Sequence, residues 1–586
     1  MPDTPNIVFV LTDDQGYPPI GAHGHPFIRT PAMNEFHSES VRLDQFHSGT
    51  TCAPTRAGLL TGHHCNSTGV WHTIGGRSLL KSDEWSLADA LRENGYHTGI
   101  FGKWHLGDTS PYRPRDRGFE HVVCHGGGGI SQQPDWWGND YFDDTYRVNG
   151  TPKRFEGYCT DIWFDEAIRF IEEYRDEPFF CYISTNAPHS PFNVPTEYRD
   201  MYQDHTTSER YARFLGMITN IDDNFARLRR HLGRLGIEED TILIFMSDNG
   251  QTGTDAEANQ YNAGMRGMKG SPYEGGHRIP CFIRWPKGGI AEGRDVSQLT
   301  GYVDFMPTIL DLCEIDVPQD HRFHGRSMAP LLRGDAGKQW DERTLVTDTQ
   351  RIPYPEKWRL SCVMKGPWRL INGNELYNLH SDPAQQKNVA SCHPDMVDEL
   401  REVYEQWWET CVRDMPEETP ISIGTESEPE TTLRSHDLRN EGGHTVVWNQ
   451  AQVRRGETCH GWWEINVETP GTYEFELRRW PEEAGHGIKE GISGSDVEFD
   501  EQGIEPNARP FYEGGEALDL DTAALQITGL PTQHAELQPD APGACFTAEL
   551  PEGRHQLRAR FAASDGAVMA AYYVYVRLLE EHPSGK

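Results

Sequence analysis

Apolar positions along the chain fall into two rhythms. Near the start, Asn6-Ile7-Val8-Phe9-Val10-Leu11 is a short, nearly continuous apolar run that breaks into Thr12-Asp13-Asp14-Gln15-Gly16. A run with no polar alternation predicts a parallel strand covered on both faces, because neither side chain direction then meets water. The pattern recurs where Phe179–Ser184 passes into Thr185-Asn186-Ala187-Pro188-His189, and where Thr241–Met246 passes into Ser247-Asp248-Asn249-Gly250. Between these runs the period lengthens to that of amphipathic helices over Leu87–Asn94, Asp161–Arg175 and Glu209–Leu235. The alternation predicts an α/β fold over residues 1–340, a doubly wound and mostly parallel sheet with polar residues at the C-terminal ends of its strands.

The rhythm changes near Thr344. Leu345-Val346-Thr347, Trp368–Ile371 and Glu375–Leu379 read as short strands and Asp395–Val412 as an amphipathic helix, a small α+β unit over residues 341–413. Residues 414–434 hold a Pro-, Glu- and Thr-rich stretch, Asp414–Thr432, which predicts a linker because few of its side chains can offset the entropy of ordering. Alternating segments at Gly461–Val467, Thr472–Leu477 and Ala570–Val576 then predict a β-sandwich-like module over residues 435–586. Its many Trp and Tyr residues read as core. One aromatic-rich insertion, Cys124–Ile130 continuing to Trp136–Phe142, is expected either to line a pocket mouth where sugar or aryl rings could stack, or to fold on its own tryptophans.

Charge narrows the partners. Lys plus Arg number 54 against 90 Asp plus Glu among 586 residues, a formal balance of −36 that repels nucleic acid and anionic membrane surfaces. An anionic substrate therefore needs a local basic pocket. No stretch has the roughly 18–20 apolar residues of a membrane helix, and Met1–Pro5 lacks the basic start and apolar run of a leader. The expectation is a soluble chain in the cytoplasm, or in the periplasm or secreted had a leader been removed. The 12 cysteines show neither the spacing of a disulfide framework nor a CxxC zinc pair.

The most informative stretch is Thr51-Cys52-Ala53-Pro54-Thr55-Arg56-Ala57-Gly58-Leu59-Leu60-Thr61-Gly62. A Cys enters a turn through Ala-Pro, and the run after it can start a helix whose N-terminus favours anions. This C-x-P-x-R string followed by Leu-Leu-Thr-Gly resembles the signature of the formylglycine-dependent (type I) sulfatases, arylsulfatase-like members of the alkaline phosphatase superfamily. The resemblance implies that a maturation enzyme oxidises Cys52 to formylglycine. A hydrated aldehyde offers two hydroxyls on one carbon, one to attack sulfur and one to expel sulfate afterwards, where a plain Ser or Cys performs only the first step well.

Asp13, Asp14, Asp248 and Asn249 place hard oxygen donors at the ends of two strands, which suits Ca²⁺ or Mg²⁺ rather than zinc. The family resemblance implies that these four, with the residue made from Cys52, hold one divalent metal, expected to be Ca²⁺ with Mg²⁺ or Mn²⁺ as alternatives. Phe101-Gly102-Lys103-Trp104-His105-Leu106-Gly107 resembles the second sulfatase signature, implying that Lys103 and His105 face the sulfate. Asn186–Pro191 resembles the leaving-group histidine segment, pointing to His189, and Gly267–Gly276 the late lysine segment, pointing to Lys269. Arg56, Lys103 and Lys269 then supply the cations that the global charge lacks.

The resemblance covers about residues 5–412 and implies hydrolysis of a sulfate ester of a carbohydrate or aryl alcohol. In that scheme Asp248 helps to deprotonate one formylglycine hydroxyl, His189 protonates the departing alcohol, and His105 assists loss of the second hydroxyl proton. Two rivals follow from the same sequence. Phosphonate monoester and phosphodiester hydrolases share the motifs, and a glycan-binding protein with an inactive α/β unit would keep the sandwich but not the chemistry.

Overall fold

A computed structural model describes residues 4–255, 260–335, 340–441, 445–538 and 540–582. Met1–Asp3, part of the segment expected not to be a leader, lie outside the described residues. The expected α/β fold is present. Asn6–Thr12 lies at the centre of a ten-stranded sheet, parallel to Thr241–Ser247 on one side and Phe179–Ser184 on the other, and the parallel set continues through His97–Gly102 to His121–Cys124.

The pleat explains why the apolar runs carry no alternation. Ile7, Phe9 and Leu11 enter one core with helices Cys52–Thr61, Leu87–Glu93 and Phe305–Leu312. Val8 and Val10 point the other way, into a core built on Pro31–Glu39, Cys159–Glu173 and Glu209–Leu235. With both faces covered, all seven residues of Asn6–Thr12 are buried, and polar groups appear only where the strands stop.

The small unit is a four-stranded antiparallel sheet, Thr344–Thr347, Cys362–Lys365, Trp368–Ile371 and Glu375–Asn378, packed under helix Pro394–Asp414. Arg369 of this sheet forms a fully buried ion pair with Glu274 of the large unit, 2.6 Å between Nε and Oε1. The C-terminal region is a pair of facing sheets around one apolar cluster, its strands alternating buried and exposed positions as in Ala544–Leu550.

The linker expectation for residues 414–434 is corrected. Ile421–Ile423 and Glu430–Arg434 are strands, one in each C-terminal sheet. The stretch between helix and sandwich is also tied to the large unit, through Ser422 N to Ser110 O at 3.2 Å, Tyr112 Oη to Pro420 O at 2.6 Å and Ser110 N to Glu428 Oε2 at 2.7 Å. Composition counted the ordering entropy of this segment but not the partners that offset it: Ile421, Ile423 and Leu433 enter the sandwich core beside Leu79, Tyr112 and Trp137 of the large unit. The sandwich is therefore docked rather than tethered. Among the described residues no helix is long and apolar enough to cross a membrane.

Candidate active site

The strands Asn6–Thr12, His97–Gly102, Phe179–Ser184 and Thr241–Ser247 end at one edge of the sheet, and each delivers a polar residue there. Asp13 and Asp14 follow the first, Lys103 the second and Asp248 with Asn249 the fourth. Ligand atoms of Asp13, Asp14, Cys52 and Asp248 all lie within 4.8 Å of one another, and all four residues are buried.

Cys52 opens the helix Cys52–Thr61, every residue of which is buried, so its side chain meets the strand ends at the electropositive end of a helix. Its Sγ lies 3.6 Å from Asp14 Oδ1. Burial first, then the charge of Asp13, pushes the thiol well above its ordinary range, so the unmodified group is a poor nucleophile. One turn on, Arg56 grips Asp248 Oδ2 through Nε at 3.1 Å and Nη2 at 2.9 Å and donates to Ser184 Oγ.

Lys103 Nζ donates to Asp13 Oδ2 at 2.7 Å and Lys269 Nζ to Asp14 Oδ2 at 2.6 Å. Asn249 Nδ2 reaches Asp14 Oδ1 at 2.8 Å, and the Asp14 amide reaches Asp248 Oδ1 at 3.0 Å. Asp14 has a φ of +65°, a left-handed backbone uncommon for a residue with a side chain and held here by these bonds. Burial opposes its charge, but Lys269, His189 and Lys103 outweigh that and hold its carboxyl below the usual range. Burial, then Asp13, instead lifts Asp248 to about 6 in spite of Arg56.

Three carboxylates thus face three cations. Two buried oxygens, Asp13 Oδ1 and Asn249 Oδ1, have no hydrogen-bond partner. Orphaned oxygens in a cluster of hard donors are what a divalent cation such as Ca²⁺ requires, so the residues present fit the group.

His105 and His189 stand over this floor. His105 has a φ of +64°, with Nε2 3.0 Å from Thr73 O and Nδ1 buried without a partner. Gly128 of the glycine-rich insertion passes so close that a Cβ there would lie 2.2 Å from His105 Cε1. His189 Nε2 lies 3.7 Å from Asp14 Oδ2. Burial, then the Lys269 cation, holds its imidazole down to about 3; a negative ligand beside it would act in the opposite sense.

All ten residues singled out in the sequence, Asp13, Asp14, Cys52, Arg56, Lys103, His105, His189, Asp248, Asn249 and Lys269, converge here. A cavity of ≈ 360 Å³ opens above Cys52, His105, His189 and Lys269. Its remaining wall was not foreseen: His72, Gln132 and Arg351 contribute, as do Thr445 and Trp448 from the C-terminal sandwich. Gln132 lies within the aromatic-rich insertion, but the pocket-mouth expectation for that segment's tryptophans is corrected for Trp137. That ring packs edge-on against Trp480 at 5.4 Å, with the Arg454 guanidinium 4.5 Å from its centroid, so it cements the sandwich instead.

Comparison with known proteins gives a consistent picture. The Sulfatase family model matches residues 5–315, and the model described as N-sulphoglucosamine sulphohydrolase, C-terminal, matches residues 268–409. The N-acetylgalactosamine-6-sulfatase of Rattus norvegicus is 30% identical over 359 residues, 56% of this chain and 66% of that protein. The chain therefore spans just under two thirds of the length of this relative. The crystal structure of Ps i-CgsB in complex with k-i-k-neocarrahexaose superimposes with a TM-score of 0.62 at 25% identity, over 70% of this chain and 94% of that one. The phosphonate monoester hydrolase of Agrobacterium radiobacter shares the fold, with a TM-score of 0.50 at 21% identity over 70% of this chain and 96% of its own.

Proposed function

The chain belongs to the sulfatase family, and from that premise we propose that it hydrolyses a sulfate ester of a carbohydrate to the alcohol and inorganic sulfate, with a formylglycine made from Cys52 as nucleophile. The observation that carries the reading is the meeting of Cys52 with Asp13, Asp14 and Asp248 at the strand ends, flanked by Lys103, Lys269 and Arg56.

Hydrated formylglycine supplies one hydroxyl to attack sulfur and a second whose deprotonation expels sulfate. A divalent cation, held by Asp13, Asp14, Asp248 and Asn249, would supply positive charge against the sulfuryl oxygens. The chain's own groups do the rest. Lys103, Lys269 and Arg56 balance the three carboxylates, so the bound cation leaves a net positive site for a sulfate monoanion in a chain of charge −36. Asp248, within reach of residue 52, takes the proton of the attacking hydroxyl. His189, at the cavity wall beside Asp14, donates to the departing alcohol oxygen. His105, on the same wall, receives the second hydroxyl proton through its unpartnered Nδ1. The carbohydrate preference is supported by the names of the related proteins, and the maturation enzyme is a required partner in this reading.

The test is a peptide mass at residue 52 alongside sulfate release from an aryl sulfate. A loss of about 18 mass units, thiol to aldehyde, with chelator-sensitive release is the expected result. Fully converted protein that leaves sulfates intact but cleaves a phosphonate monoester would overturn it in favour of that chemistry.

A further inference from the structure

The active-site cavity does not end at the catalytic unit. A second hollow of ≈ 200 Å³ shares His72, Ile74, Arg351 and Thr445 with it, so the two lie side by side along one groove wall. Three parts of the chain meet there: residues 72–77 of the large unit, 351–354 of the small unit, and Arg439, Asn440, Thr445, Val446 and Trp462 of the sandwich.

The lining of this hollow contains Arg77, Arg351 and Arg439 and no carboxylate. Arg77 and Arg439 share one acid behind the wall, Glu418, which accepts from Arg77 at 2.9 and 3.0 Å and from Arg439 Nε at 2.7 Å. Arg351 is exposed, and among the described residues no acid pairs with it. Its backbone φ is +40°, an uncommon conformation for a long side chain and one that recurs where structure serves a ligand. The three lining guanidiniums outnumber the one carboxylate paired with them, a local positive excess opposite in sign to the whole-chain charge. Rings flank this charge. Trp462 is half-buried, and Tyr354 is 62% exposed with the Arg77 guanidinium 5.3 Å from its centroid. An exposed aromatic edge in a hollow that also holds the unpaired Arg351 is the chemistry that receives the apolar face of a sugar ring and a charged substituent on it.

We propose that this groove is a second saccharide subsite, formed jointly with the C-terminal sandwich, which holds the sugar linked to the one being desulfated. It selects a neighbour that carries a carboxylate or a second sulfate, paired with Arg351, over a neutral one. The substrate is then an anionic oligosaccharide rather than a lone sulfated monosaccharide, and the sandwich is a specificity module. This rests on the sulfatase reading of the adjoining site.

The experiment compares a sulfated hexosamine alone with the same sugar joined to a neutral hexose, a uronic acid or a sulfated hexose. Each is measured as a competitor of aryl sulfate hydrolysis, and by calorimetric binding to the full-length Cys52→Ala protein, which needs no turnover. The acidic disaccharides are expected to bind at least about tenfold more tightly than the monosaccharide or the neutral disaccharide, and Arg351→Ala should abolish that preference. Trp462→Ala should weaken both kinds of disaccharide relative to the monosaccharide. The uronate and sulfate arms tell which anion is read. Equal binding of neutral and acidic disaccharides, or a preference that survives Arg351→Ala, overturns the subsite even if sulfate release is robust. Arg351-dependent binding of an acidic disaccharide by protein that releases no sulfate would leave the subsite standing and sink the sulfatase reading instead.

Discussion

Lys103 Nζ lies 2.7 Å from Asp13 Oδ2, and neither side chain has any exposed surface. An ammonium so placed cannot be solvated by water, and its charge is directed at the cavity floor. Replacing it by methionine keeps the volume, removes an electrostatic donor and leaves Asp13 without its partner. Lys103→Met should lower kcat/KM for an aryl sulfate by about 10² to 10³, with an unchanged far-ultraviolet dichroism spectrum showing that the fold survives.

Asp13 Oδ1 and Asn249 Oδ1, both buried and unpartnered, are the oxygens through which the proposed site would take its divalent cation. Ca²⁺ at a hundred times its Kd should stabilise the protein by about 2.7 kcal/mol, read as a rise in thermal midpoint that a chelator reverses. Asp13→Asn should remove most of that rise. A midpoint indifferent to divalent cations would count against the metal assignment whatever the activity.

Arg369 and Glu274 link the small sheet to the large unit by a pair with 0% and 1% exposed side chains. Removing only one partner strands a buried charge. Arg369→Ala should cost about 3–5 kcal/mol, measured by denaturant unfolding, whereas the double change Arg369→Met with Glu274→Gln should cost much less.

His63 Nδ1 lies 2.7 Å from Glu84 Oε2. Burial opposes charge on the imidazole, but the hydrogen bond and charge of Glu84 prevail and raise it above its ordinary 6.5. Burial likewise opposes charge on Glu84, but His63 and Lys81 prevail and lower it below its ordinary 4.5. A raised imidazole stabilises fully below 6.5 and loses that contribution as pH climbs through its folded value. A lowered carboxyl stabilises fully above 4.5 and loses its contribution as pH falls through its folded value. The pair therefore contributes most between 4.5 and 6.5. His63→Gln should flatten the fall in thermal midpoint from about pH 6 to about pH 8.

Much of this molecule was legible without coordinates, for local reasons. A strand covered on both faces must be apolar throughout, so Asn6–Leu11, Phe179–Ser184 and Thr241–Met246 announced the sheet, and the polar residues that end such strands announced the site. The helix Glu209–Leu235 begins and ends where its periodicity does, because Ser208 caps its start and Gly236, at φ +71°, ends it. The residues that converge on the strand ends stand in contiguous strings around Cys52, Lys103, His189 and Lys269, and a contiguous string carries its pattern in one dimension.

Only the tertiary structure decided how the sandwich is used. Residues 414–434 look too polar to order themselves, and they are ordered by partners from two distant sheets. Trp137 and Trp448 are indistinguishable in sequence, yet one ring is spent on docking the sandwich and the other faces the reaction cavity. Arg351, Trp448 and Trp462 belong to separate segments whose proximity no periodicity encodes. The sequence determined which chemistry the strand ends can perform, because strand burial and local motifs are short-range properties. The shape and charge of the groove beside them arise from the packing of three units, a long-range property that exists only once the chain has folded.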